Sequence, residues 1–176
     1  MRIGVLGAGR VGSGLAAFWT AKGHDVRTST RDTVAETAAF GDVVLLAVPG
    51  GAAADVLASL GTLAGKVVVD ATNFGPGAAA LAAQVPDARV VKAFNTVFAA
   101  IYDKVATAER PPAQVYCGDD AEAKKTVAQL IADAGFEPVD AGGLDMAADI
   151  DALARLVIGI AYRQGRGPFF YRFEAS

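Results

Sequence analysis

Two short stretches carry the residue types with the clearest chemical potential: GAGRVG, residues 7–12, and RTSTRD, residues 27–32. GAGRVG follows an apolar run, Arg2 to Leu6, and opens a helix-like run, Val11 to Lys22, that Gly23 closes. In that strand–loop–helix setting a G-x-G-x-x-G spacing is a phosphate cradle. Gly7 makes the tight turn, Gly9 lets a pyrophosphate approach the backbone, and Gly12 permits close helix–strand packing. The helix N-terminus, with Val11 in its first turn, then stabilises the phosphate charge. The expectation is dinucleotide binding, against the plainer alternative of a Gly-rich turn that holds nothing.

RTSTRD stands where such a chain reads the adenosine ribose. An acidic residue about 20 residues past the loop would grip a free 2′-hydroxyl. Thr28, Ser29, Thr30 and Arg31 come first instead. Hydroxyls and a guanidinium suit a 2′-phosphate, so the local pattern favours NADP(H) over NAD. Charge-assisted hydrogen bonds contribute about 1.5 to 3 kcal/mol each. One or two of them correspond to roughly tenfold to several-hundredfold discrimination. Two alternatives stay open: Asp32 reads the ribose itself, or Arg31 and Asp32 form a solvated pair. Arg10, inside the glycine loop, faces either the added phosphate or solvent.

The elements that must position these residues alternate along the whole chain in the pattern of a parallel α/β sheet. Strands are expected at Arg2–Leu6, His24–Ser29, Asp42–Val48, 66–71 (KVVVDA), 89–94 (RVVKAF), Gln114–Cys117 and Phe136–Val139. Helices are expected at Val11–Lys22, Val34–Phe40, Ala52–Leu60, Ala78–Gln84, Ala121–Ala134 and Leu144–Arg163. Thr33 and Glu36 have capping-box spacing, and Asp119 or Asp120 caps the helix after it. Only one short helix separates the second strand from DVVLLAV, where a full mononucleotide half has a helix, a strand and another helix. The outer strand of that half is therefore missing, and the polar second strand is the sheet edge. The fold class is a doubly wound, mainly parallel Rossmann-type sheet with its first half abbreviated. Residues 1–143 form the dinucleotide-binding domain, and 144–176 a helix and aromatic tail packed on it.

Composition narrows the function. The chain has 176 residues, 53% of them hydrophobic and 20% charged, with a formal net charge of −3. That describes a compact domain with a proper core and no basic patch for nucleic acid. No uninterrupted apolar run reaches the roughly 18 residues of a membrane span, and glycines break the signal-like start. The single cysteine, Cys117, and single histidine, His24, leave no disulfide, no cysteine or histidine metal cluster and little room for a Ser-His-Asp triad. A reducing cytoplasm suits this usage.

Ligands in such sheets bind outside the carboxyl ends of the strands. Asp70, Thr72, Asn73, Asn95 and Thr96 fall on that rim, and NFGPG, 73–77, would let a flat ring approach the backbone. Lys92, on an apolar strand, is either a proton donor or the partner of a strand-end carboxylate. The pair Asp119–Asp120 reads first as helix capping, Cys117 as inert packing, and His24 as the start of a strand.

Taken together, RIGVLGAGRVGSGLA, DVVLLAVP, KVVVDATN, RVVKAFNT, VYCGDDAEAKKTVAQLIADAGFEPVDAGGL and IDALARLVIGIAYRQG resemble the NADPH-dependent coenzyme F-420 reductase family. They are also similar to the reductase domain of the STEAP metalloreductases. The resemblance spans nearly the whole chain. It implies a Rossmann domain with a small helical C-terminal portion, and hydride passing between NADP(H) and a deazaflavin (coenzyme F-420) or a flavin such as FMN or FAD. By matching segments, Gly7 to Gly12 would hold pyrophosphate, and Thr30 and Arg31 the 2′-phosphate. Val48 and Pro49 would cover the cofactor, with Asn95 and Thr96 near the nicotinamide. The chain departs from the family in its shortened stretch after Arg31, where part of the adenosine pocket would lie. A small-molecule redox co-substrate and a homodimer are the expected partners. Competing readings are a small imine or β-hydroxyacid-type reductase, and an NADP(H)-binding sensor without turnover.

Overall fold

The computed structural model describes residues 1–174; residues 175 and 176, the end of the expected C-terminal portion, lie outside the described residues. Seven strands form one sheet: β1 (Arg2–Leu6), β2 (Asp25–Thr28), β3 (Val43–Leu46), β4 (Val67–Asp70), β5 (Arg89–Lys92), β6 (Ala113–Gly118) and β7 (Glu137–Asp140). Their order is β2-β1-β3-β4-β5-β6-β7. All pairs are parallel except β5 with β6. Every residue of β3 and β4 is buried, as expected of strands covered on both faces. β1 has the expected bounds, β2, β3 and β4 are one or two residues shorter at each end and β5 stops two residues early, whereas β6 gains a residue at each end and β7 is shifted on by one.

The polar second strand is the sheet edge, and among the described residues no strand lies beyond it. The helices are α1 (Arg10–Ala21), α2 (Val34–Phe40), α3 (Ala53–Ala58), α4 (Ala78–Gln84), α5 (Ala121–Asp133) and α6 (Ala147–Ile158). The short return α2 packs directly on β1, and Gly4 makes this possible. A Cβ there would stand 2.3 Å from the Thr37 carbonyl oxygen. Arg27, on the edge strand, lies 3.8 Å from the Phe40 ring centroid and shields this corner.

Apolar layers fill both faces of the sheet. On one, α1 and α5 bury Leu15, Trp19, Val127, Leu130 and Ile131; on the other, Ala53, Leu57, Leu81 and Ile150 pack from α3, α4 and α6. The Trp19 indole N–H donates to the Leu130 carbonyl at 2.9 Å and its ring meets Phe94 edge-on. His24 bridges Asp133 at 2.9 Å and the N-terminal amine at 3.3 Å, which makes it a structural clasp at the base of α5.

Three local expectations change. Thr33 and Glu36 form no capping box: the Thr33 hydroxyl accepts from the Thr30 N–H at 2.9 Å instead. The long C-terminal helix divides into a 3₁₀ turn at Leu144–Met146, α6, and a π turn at Gly159–Arg163. Residues Ala99–Thr107 form two short 3₁₀ segments that bury Ile101, Tyr102 and Val105. Tyr102 fits because a Cβ on Gly14 would lie only 2.5 Å from its ring. The aromatic tail then returns across the sheet. The Ala113 N–H donates to the Tyr171 carbonyl at 3.0 Å, and the Arg172 guanidinium donates to the Pro111 and Arg110 carbonyls.

Trp19 joins both helices of one layer, so Trp19→Ala is expected to lower unfolding stability by about 3 to 5 kcal/mol. Urea denaturation followed by circular dichroism measures this directly; a loss below about 1 kcal/mol would mean the site collapses around the cavity.

Candidate functional site

The glycine loop is shaped by contacts that only glycine allows. Gly7 has φ +111°, and a Cβ there would lie 2.4 Å from the Ala47 carbonyl oxygen. A Cβ on Gly12 would fall 2.0 Å from the Gly7 carbonyl oxygen, so α1 can close on the loop only as it stands. Gly9 differs: a Cβ would meet nothing within 4 Å, so its outer face is open to a ligand. The first-turn N–H groups of α1, those of Arg10, Val11 and Gly12, have no intrahelical acceptor and face a potential anion.

Ser29 sits beneath this loop. It is 4% exposed, and its hydroxyl accepts from the Gly7 N–H at 3.3 Å. The edge strand thereby fixes the loop, and Ser29, which also lines the cavity beside it, keeps its O–H to donate. Thr30 is cinched to Thr33 through both its N–H and its hydroxyl, at 2.9 and 3.1 Å. That short turn leaves Arg31 projecting into solvent. Among the described residues Arg31 enters no ion pair, and Asp32 does not approach it. Gly7, Thr30, Arg31, Val34, Val48 and Pro49 line one cavity of about 400 Å³. Arg10 is exposed at the start of α1 outside this lining, and Val11 packs half-buried on the core.

A polar network occupies the strand ends next to this cavity. The Lys92 ammonium is 1% exposed and has three acceptors: Asp70 Oδ2 at 3.0 Å, the Thr72 carbonyl at 2.6 Å and Asp151 Oδ1 at 3.1 Å. All three contacts are to chain acceptors, so in this arrangement Lys92 is the partner of strand-end and helix carboxylates and cross-braces them. Asp70 Oδ1 in turn accepts from the Thr72 N–H and hydroxyl at 2.9 and 2.7 Å.

The second acid, Asp151 of α6, is the residue that sequence reasoning missed. Its signal was an acid flanking the apolar face of a helix that had to meet a strand carrying a buried lysine. Asp151 also accepts from Asn95 Nδ2 at 3.0 Å, and Asn95 Nδ2 donates to Asn73 Oδ1 at 3.2 Å. Asn73 Nδ2 donates to the Asn95 carbonyl at 3.0 Å. Asn95 is 6% exposed, yet its Oδ1 accepts no hydrogen bond from any described residue. A buried amide oxygen of that kind awaits a donor.

Thr96 is placed otherwise than expected. Its hydroxyl is buried between Gln114 Nε2 at 3.3 Å and the Tyr171 hydroxyl at 2.6 Å, so the C-terminal tail covers it. The loops after β3 and β4 touch at backbone distance: a Cβ on Gly50 would stand 2.1 Å from the Asn73 carbonyl oxygen. Beside them Phe74 holds φ +58°, uncommon for a bulky residue, and is 72% exposed.

Asp119 and Asp120 do not form a carboxylate pair. Asp120 accepts from the Ala123 N–H and caps α5; Asp119 accepts from the Leu144 N–H, each at 2.7 Å. Burial pushes the Cys117 thiol up to about 11, which leaves it protonated near neutrality. Among the described residues no helix is long and apolar enough to cross a membrane.

A glycine loop feeding a helix N-terminus on a doubly wound sheet, with a cavity at the adjoining edge, defines a dinucleotide-binding protein of the Rossmann class. Comparison with known proteins narrows this. Residues 2–74 match the family described as NADP oxidoreductase coenzyme F420-dependent. A candidate F420-dependent NADP-reductase of Arthrobacter sp. FB24 superimposes with a TM-score of 0.87 at 26% identity, covering 99% of this chain and 100% of that one. A hypothetical protein of Sinorhizobium meliloti gives 0.65 at 30% identity, over 84% and 87%. Metalloreductase STEAP3 of Rattus norvegicus is 29% identical over 177 residues, 86% of this chain and 36% of that protein. The chain thus spans about a third of that curated relative's length. The chain is thus similar to the coenzyme F420-dependent NADP oxidoreductases, with the family match lying in residues 2–74.

Two outcomes follow from the geometry. Arg31→Ala is expected to raise the dissociation constant for NADPH roughly tenfold to a hundredfold while leaving that for NADH within about twofold, read by fluorescence titration. A parallel loss for both cofactors would remove Arg31 from the 2′-phosphate. Cys117 is expected to resist iodoacetamide at pH 8 in the native protein and to react readily in urea; labelling at equal rates would show the thiol exposed.

Proposed function

We propose that this protein passes hydride between NADP(H) and a deazaflavin of the coenzyme F-420 kind, or a flavin. The observation that carries the reading is the single cavity in which the glycine loop, the Thr30–Arg31 turn and the Val48–Pro49 cover meet. Its residues fit NADP(H) part by part. The open face of Gly9 and the free N–H groups of Arg10, Val11 and Gly12 take the pyrophosphate. Thr30 and Arg31 take the 2′-phosphate, with Arg31 unengaged by any described acid. Val48 and Pro49 cover the adenosine end.

At the other end Asn95 is held on two sides, by Asn73 and Asp151, with its Oδ1 left over. That oxygen accepts from the nicotinamide carboxamide and fixes the ring's orientation. The bound nicotinamide supplies the hydride chemistry. What the chain contributes is orientation and exclusion of water, the two factors on which transfer between preformed rings depends.

An anaerobic absorbance assay with NADPH, offering oxidised coenzyme F-420 and FMN in parallel, tests the reading. The expected result is bleaching of the deazaflavin at a rate at least tenfold above that with FMN. NADPH bound with neither acceptor bleached would overturn it in favour of an NADP(H) sensor.

A further inference from the structure

The solvent side of α6 is arranged symmetrically about Ala152. Inward, Ala147, Ile150, Ala154 and Val157 are buried. Outward, the fully exposed positions of the helix are Ala148, Asp149, Ala152, Arg155 and Leu156. They stand three and four residues to either side of Ala152, the spacing of one helix face. Asp149 and Arg155 mirror one another in position and oppose one another in charge. Ala148 and Leu156 mirror one another as well, one small and one large.

A helix so patterned complements a second copy of itself laid antiparallel across it. A two-fold axis through Ala152 brings Asp149 against the partner's Arg155, and Arg155 against the partner's Asp149. Leu156 then falls over the partner's Ala148, and the alanine at the axis lets the two backbones approach closely. Antiparallel helix dipoles favour the same arrangement. Neither charge is spent within the chain, since Asp149 and Arg155 enter no ion pair among the described residues. Leu156 is 60% exposed, a large apolar side chain at the centre of the face. A partner of another kind would have no need of charges and sizes mirrored about one residue.

We propose that the protein pairs with a second copy of itself through α6, antiparallel about Ala152. The contact does not depend on the proposed hydride transfer. It does reach the rim: Ala148 and Asp151 line a groove of about 330 Å³ beside the loop at Gly75–Gly77. The partner's Leu156, over Ala148, closes that groove next to the acid that holds Asn95. Two twelve-residue helices make a small interface, so a dissociation constant on the order of micromolar is expected.

Sedimentation velocity over roughly one to several hundred micromolar tests this, with a monomer–dimer shift expected across the range. Asp149→Arg and Arg155→Asp each set like charges together at both ends of the contact. Each should weaken dimerisation roughly tenfold to a hundredfold. The double variant Asp149→Arg/Arg155→Asp should restore it, and the two single variants, mixed, should form a heterodimer. Either rescue excludes misfolding as the cause of a loss. On oxidation Ala152→Cys should cross-link to its own copy. Ala148→Cys should not, because positions 148 and its two-fold mate lie about 12 Å apart along the helix. Cys117 is buried and takes no part. A chain that stays monomeric throughout, a dimer indifferent to the charge variants, or cross-linking at 148 in place of 152 would overturn the assignment.

Discussion

Everything at the strand ends depends on one buried ammonium. Lys92 brings a positive charge to the end of β5 with almost no access to water, and its position is tenable only because Asp70 and Asp151 lie within 3.1 Å. An ion pair of this kind adds little net stability, because desolvation offsets most of the attraction. Its effect is geometric. Asp70 belongs to the neighbouring strand and Asp151 to the helix that arrives 59 residues later, so a single side chain sets the register between sheet and C-terminal helix. A buried charge tolerates few arrangements, and only with both acids removed would it be uncompensated. The rim is therefore held more tightly than apolar contacts alone would hold it.

Asn95 inherits that rigidity. Both hydrogens of its amide are committed, one to Asn73 and one to Asp151, so the orientation of its remaining oxygen is determined by partners on two different elements. The same logic works with less charge around the cavity beside the glycine loop. There the Ser29 hydroxyl ties the glycine loop to the edge strand, and Thr33 ties the turn that presents Arg31. The abbreviated first half survives because glycine substitutes for missing structure. Gly4 lets α2 rest on the strand itself, where a fuller fold would have inserted another strand.

The strand pattern and the cofactor loop were legible in the sequence because both depend on local features. Continuous apolar runs mark strands buried on both sides, and a G-x-G-x-x-G between strand and helix admits few other uses. The missing edge strand was readable for the same reason, since it is a matter of chain length between two runs. What escaped were features set by distant partners. Asp151 looks like any acid beside an apolar stripe until β5 is placed against α6. Thr96 looks like a rim hydroxyl until Tyr171 returns to cover it. Thr33 and Glu36 have the spacing of a capping box, but Thr30 competes for the same hydroxyl and wins. The segment Ala99–Thr107 has no clean period because its 3₁₀ turns are held by the space Gly14 leaves on α1.

A rim built this way has consequences for the chemistry it can support. Lys92 spends its contacts on Asp70, Thr72 and Asp151, burial holds Cys117 protonated, and His24 is engaged with Asp133 at the far base of α5. These groups are spent on position, so the chain's clearest contribution at the strand ends is to orient what binds there. Reactions that protonate a carbonyl or imine nitrogen from the protein, such as reduction of a hydroxyacid precursor, need a proton-donating group. Hydride passing between two ring systems does not, because each ring accepts or releases charge internally. The rim therefore suits a reaction whose redox chemistry the bound cofactor carries, with the chain fixing where that cofactor lies.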